Sequence, residues 1–219
     1  MPGNLSLYDL RAVAQQQLEN VAEGAPLAPL TSALISLGVA ASVTSLDTDR
    51  VRYAIEGALG SGASIGQVQE TVALVSGLGV HSLMVSLPMI ADRAREDGTL
   101  GDGPLDPARQ ALWDRYVGED PYWASFETDV PGFLDAMLRL SPDQFTAFFT
   151  FCAVPWKSGT VRARDKELIA LASDAAPTHR FLPGFKLHLR NALALGVGKR
   201  AILDTLDLAA NAPSHRGTY

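Results

Sequence analysis

Glu167, His179, His188, Arg190 and Asn191 gather polar chemistry into 25 residues of an otherwise apolar second half. A histidine titrates near neutral pH and can pass a proton either way, and a carboxylate such as Glu167 can orient it or serve as base. Glu167, His179 and His188 are therefore the candidate acid–base residues. His188 falls on an expected helix eight residues before Gly196, and His179 lies in the loop ahead of that helix, where it can reach into a cleft. Structural duties compete with each role. A histidine on an apolar helix can be a satisfied packing residue, His179 can cap the next element, and Glu167 near a helix start also suits the helix dipole. Arg190 could clamp a carboxylate, but two residues from His188 it points to another helix face, where a salt bridge serves equally well. Glu167, His179 and His188 could in principle hold zinc or iron, yet their spacing matches no metal motif and no metal is expected.

Thiol chemistry is narrower still. Cys152 is the single cysteine, which excludes an internal disulfide, a Cys-x-x-Cys redox pair and a multi-cysteine zinc site. Its setting, Phe148-Phe149-Thr150-Phe151-Cys152-Ala153, predicts a buried structural thiol.

The elements that must position these residues read as helices. Hydrophobic residues make up 47% and charged residues 19% of 219, with Ala and Leu favoured over Thr, Tyr and Ile, so the expected class is all-α. Helices are expected over about 6–22, 27–43 and 47–60, from Ala63-Ser64 onward with Val68, Val72 and Val75 as its buried stripe, and over 80–96, with Asp47 and Ser64 as caps and Gly62 as a stop. Residues 97–107 hold three Gly, three Asp and two Pro and read as a loop between halves. Beyond it, helices are expected over about 107–116, 131–140, 142 to just before Pro155, 163–176, 183–195 and 198–210. The glycines between Gly60 and Gly66 resemble a phosphate loop only superficially, since they lack Lys and follow a helix. Trp113, Tyr116, Tyr122 and Trp123 are read as packing between the halves or as a lid over an aromatic or lactone substrate.

A net charge of -6 and a pI near 5.2 argue against nucleic acid, leaving a small molecule or a protein as partner. Met1-Pro2-Gly3-Asn4 lacks the regions of a signal peptide, and no uncharged apolar stretch is expected to reach the length of a membrane span, so a cytoplasmic protein without membrane contact is expected.

A shift of 134 aligns the halves without a gap. Leu34-Ile35 meets Leu168-Ile169, Leu37 meets Leu171, Thr44 meets Thr178, Ala58-Leu59 meets Ala192-Leu193, Gly62 meets Gly196, and His81 meets His215. The polar set has no such echo: Glu167, His179, His188, Arg190 and Asn191 face Ala33, Ser45, Ala54, Glu56 and Gly57. The expected organisation is an N-terminal arm (1–26), a degenerate first unit (27–97), an aromatic-rich linker (98–130) and a second unit (131–219) carrying the chemistry.

Lys166-Glu167-Leu168-Ile169-Ala170-Leu171-Ala172, Thr178-His179 and the run from Pro183 through His188 to Leu193, followed by Gly196, resemble the carboxymuconolactone decarboxylase and alkylhydroperoxidase D superfamily. Val154-Pro155-Trp156, Gly77 to Ser82 and Leu87-Pro88 look like flanks of the same unit. The resemblance implies an all-helical fold of two fused units that assembles as a homo-oligomer. Where the peroxidase branch has Cys-x-x-Cys, this chain has Phe181-Leu182-Pro183-Gly184, so a dithiol peroxidase is not expected. The resemblance instead implies a cofactor-independent decarboxylase-like enzyme acting on a small carbonyl or carboxylate compound. In it His188 is the candidate proton donor, with His179 and Glu167, and Arg190, Trp156 and His81 contact substrate. The alternative is a non-catalytic ligand-binding or assembly member of the family.

Overall fold

In the computed structural model, which describes residues 4–216, every regular element is helical: twelve α-helices and one short 3-10 turn, with no strand among the described residues. The expected all-α class is the one found. Met1 to Gly3, part of the segment examined for a targeting signal, lie outside the described residues.

Two compact units divide the chain, one running to Leu78 and resuming at Pro155, the other spanning Gly79–Val154. The expected division at 27–97 and 131–219 is not how the helices group. In the first unit α2 (Pro29–Ala41), α3 (Thr48–Gly60) and α4 (Ile65–Ser76) share a core with α10 (Ala163–Ala175), α11 (Leu182–Ala194) and α12 (Lys199–Ala210), and α1 (Leu7–Gln17) packs on α11. Leu34, Ile35 and Leu37 of α2 and Leu168, Ile169 and Leu171 of α10 are essentially inaccessible, each contributing roughly 1.5–3 kcal/mol by burial. Halves distant in sequence thus bury one another's apolar faces. Gly38 permits the close approach of α2 and α10, because a Cβ there would stand 2.6 Å from Ile169 Cγ2.

Local chemistry sets the helix ends. Asp47 caps α3 by accepting from the Arg50 N–H, and Ser64 and Gln67 form a reciprocal capping box on α4. Gly62 and Gly196 follow α3 and α11 with φ of 89° and 77°, a left-handed conformation that glycine adopts without Cβ strain. The shift of 134 reappears in the helix bounds, since 29–41, 48–60 and 65–76 map onto 163–175, 182–194 and 199–210. Thr31 Oγ1 donates to Asp165 Oδ1 at 3.3 Å between equivalent positions of the two sets.

The second unit holds α5 (His81–Glu96), α6 (Pro107–Tyr116), α7 (Pro121–Asp129), α8 (Phe133–Leu140) and most of α9 (Pro142–Lys157). The expected linker at 98–130 therefore contains α7 besides the helix expected over 107–116. The signal for α7 was present in Asp120-Pro121, an N-cap followed by proline at the first helical position. Tyr116, Trp123 and Phe126 pack on Phe133, Phe145, Phe148 and Phe149 of the same unit, so the aromatic cluster forms that unit's own core. Helix α9 runs through Pro155 where a stop was expected; the proline forfeits one backbone hydrogen bond, but only two helical residues follow it. Cys152, on α9, is partly buried.

One expectation about membranes is corrected. The helical run Ile65–Glu96 is long and apolar enough, by length and composition, to cross a bilayer, and little of it is buried. Residues 71–91, between Glu70 and Asp92, hold no Asp, Glu, Lys or Arg.

Candidate acid–base site

Helices α10 and α11 lie side by side and bring most of the polar set together. Glu167 stands mid-way along α10, buried, with His188 Nδ1 at 2.7 Å from its Oε2. Asn191, three residues on from His188 and so on the same face of α11, donates from Nδ2 to Glu167 Oε1 at 3.3 Å. Both oxygens of one carboxylate are thereby engaged from a single helix face. With Glu167 accepting at Nδ1, the other ring nitrogen of His188 turns toward Asp174, whose Oδ2 lies 3.9 Å from Nε2.

Asp174 was not singled out from sequence. It lies seven residues beyond Glu167 on α10, two helical turns along the same face, a spacing that could have flagged it. Its carboxyl is 1% exposed and also faces His179, with Oδ1 3.6 Å from Nε2. A tight turn returns the chain to make this possible: the His179 and Arg180 amides both donate to the Ala176 carbonyl, Arg180 takes φ of 54°, and the Phe181 amide donates to the Asp174 carbonyl at 3.0 Å. Gly184 leaves room for the carboxyl, since a Cβ at that position would stand 2.2 Å from Asp174 Oδ2.

The electrostatics separate these groups. Burial pushes the Asp174 carboxyl up to about 7, and the charge of His188 only partly opposes the shift. For His188 burial works against the cation, yet the Glu167 hydrogen bond and charge, and then the charge of Asp174, outweigh it and hold the imidazole above its usual pKa. Desolvation lowers that of His179. The arrangement is a donor imidazolium anchored by one carboxylate and facing a second carboxyl that exchanges its proton near neutrality.

Trp156 lies parallel to the His188 ring, with centroids 6.0 Å apart and 4° between the planes, and remains 40% exposed. Within this unit the sequence-derived set is split. Glu167, His179, His188 and Trp156 come together, with Asn191 and Asp174 added. Arg190 lies on α11 about 200° round the helix axis from His188, facing away from the Glu167 contact. His81 opens α5 in the second unit. A cleft of about 240 Å³ in that unit, lined by Trp113, Trp123, Glu127 and Leu134 among others, contains none of the polar set.

No protein-family profile matches the chain, and no curated protein matches it in sequence. A solved structure from Burkholderia xenovorans, described provisionally as a gamma-carboxymuconolactone decarboxylase subunit, is similar at 32% identity with a TM-score of 0.71. The similarity covers 93% of this chain and 77% of that one. Identity of that extent over nearly the whole chain, together with the shared helical fold, means that the chain belongs to the carboxymuconolactone decarboxylase family.

Proposed function

We propose that the protein is a decarboxylase-like lyase that uses its own acid–base residues, without a cofactor, on a small carbonyl or carboxylate compound. The observation that carries this reading is the Glu167–His188 contact at 2.7 Å, with the second nitrogen of His188 facing the Asp174 carboxyl. A substrate carboxylate on the carbon α to a carbonyl, or vinylogous to it, loses carbon dioxide when the breaking C–C bond sends its electron pair onto the carbonyl oxygen. The resulting enolate collapses as a proton reaches carbon. His188 supplies that proton, Glu167 fixes its tautomer and supports its charge, and Asp174 and His179 return a proton to it. Trp156 offers a flat apolar wall against a conjugated substrate, and the desolvated surroundings disfavour the substrate carboxylate relative to the charge-dispersed enolate.

The common register of 134 in sequence and in helix bounds supports an internal duplication in which the first copy kept the scaffold and lost the polar set. The family resemblance further supports a homo-oligomer, for which light scattering on the purified chain is the measurement.

Carbon dioxide release from a panel of unsaturated acids and lactones, gamma-carboxymuconolactone among them, tests the proposal. Turnover by the wild type that disappears in His188→Ala and falls in Glu167→Gln is the expected result. Binding of a panel member without turnover would instead favour the non-catalytic ligand-binding reading.

A further inference from the structure

A buried lysine stands behind the aromatic wall of the site. Lys166 immediately precedes Glu167 on α10 and is 2% exposed. Its Nζ donates to the carbonyls of Pro155 at 2.6 Å and Ser158 at 2.5 Å and lies 2.7 Å from Glu70 Oε1. Glu70, on α4 and also buried, accepts from Ser158 Oγ at 2.5 Å and from the Val161 amide at 3.4 Å. One buried ion pair therefore binds the segment 155–161 at its start, middle and end. Trp156 is the second residue of that segment.

The other half of the fold shows how much of this the architecture itself requires. At a shift of 134, Val161 corresponds to Leu27, Glu70 to Asp204, Lys166 to Ser32 and Trp156 to Ala22. The Leu27 amide does donate to Asp204 Oδ2, at 3.1 Å. An acid on the third helix that holds the chain just before the first is thus common to both halves. The lysine and the tryptophan occur only in the half that carries Glu167 and His188. A buried ammonium is costly to desolvate, and in the other half Asp204 holds the chain while paired with the exposed Arg200 at 2.9 Å, so fold geometry does not by itself call for a buried lysine.

We infer that Lys166, acting with Glu70, is a positioning residue that holds the Pro155–Val161 segment so that the Trp156 ring lies flat on His188. The held ring runs parallel to the imidazole and shields it from solvent on that side, and it places π-density about 6 Å from a developing imidazolium, at the outer range of a cation–π attraction. The consequence for turnover rests on the acid–base reading of His188, whereas the positioning itself is measured without any substrate.

The experiment uses the full chain labelled with 5-fluorotryptophan. The three tryptophan resonances are assigned by Trp156→Phe, and His188 modification by diethylpyrocarbonate is followed by mass spectrometry. Lys166→Met/Glu70→Leu removes both charges without stranding either. In this double variant the Trp156 resonance should shift and sharpen, and His188 should react severalfold faster, approaching the rate in Trp156→Ala. A folded double variant with the wild-type Trp156 resonance and the wild-type His188 rate would overturn the inference. Should the double variant fail to fold, Ser158→Ala and amide exchange at Val161 in the wild type decide. A rapidly exchanging Val161 amide, together with an unmoved Trp156 resonance in Ser158→Ala, also overturns it. Absence of turnover with the segment held would count against the acid–base proposal alone.

Discussion

Asp174→Asn is expected to make the protein more stable above neutral pH, with the gain vanishing in acid. Asp174 is 1% exposed, and burial lifts its carboxyl from the usual 3.8 to about 7. Between these values the unfolded chain releases the proton while the folded protein keeps it, so each rise in pH favours unfolding. The span of about three pH units, at about 1.36 kcal/mol each, amounts to about 4 kcal/mol of stability lost between roughly pH 4 and pH 7. His188 adds a slope of the same sign. Its folded pKa is raised, so its contribution is complete below the unfolded value near 6.5 and is lost as pH rises through the folded value. Wild-type protein should therefore be more stable at pH 5 than at pH 8. Asparagine cannot ionise, so the variant loses the Asp174 slope and keeps that of His188, reduced because one of two nearby carboxyls is gone, and that of His179, whose lowered pKa acts with the opposite sign. Urea denaturation at pH 4, 5, 6, 7 and 8 measures both curves. They should meet near pH 4 and diverge by up to about 4 kcal/mol at pH 8. Parallel curves across this range would refute the assignment of Asp174 as a buried carboxyl that titrates near neutrality.

Lys166→Met alone strands Glu70 in the interior and should cost about 3–5 kcal/mol in urea denaturation, whereas Lys166→Met/Glu70→Leu should recover most of it. Gly184→Ala drives a methyl to within 2.2 Å of Asp174 Oδ2 and should destabilise by about 1–3 kcal/mol; a lowered thermal midpoint checks this. Cys152 sits in apolar surroundings that push its thiol up to about 11, so it should react with an aromatic disulfide reagent at pH 7.5 only after denaturation. Phe133→Ala empties the centre of the second unit's aromatic core and should cost about 3–5 kcal/mol by the same denaturation assay.

Much of the helical plan is legible in the chain because helix limits depend on near neighbours. Asp47, Ser64 and Gly62 cap or stop helices through atoms at most a few residues away, so their types and spacing suffice. The helix α7 was signalled by Asp120-Pro121 but was obscured by the loop-like composition just before it. The spacing of Glu167 and His188, combined with the family resemblance, marked two residues that do meet. Glycine conformation and capping are local physics, and the sequence alone carries them.

What surrounds those residues was decided by packing. Glu167 and Asp174 share a helix face, but that Asp174 faces two histidines depends on the turn at 176–181 and on the missing side chain of Gly184. Lys166 is an ordinary charged residue in the sequence, and its function depends on Glu70 and Pro155, 96 and 11 residues away, being brought to one buried point. The grouping of α2–α4 with α10–α12, in place of a division at the 97–107 loop, has the same cause. Apolar faces from distant parts of the chain bury one another, and burial, which moves the pKa of Asp174 and sets the cost of the Lys166 ion pair, exists only once the chain has folded.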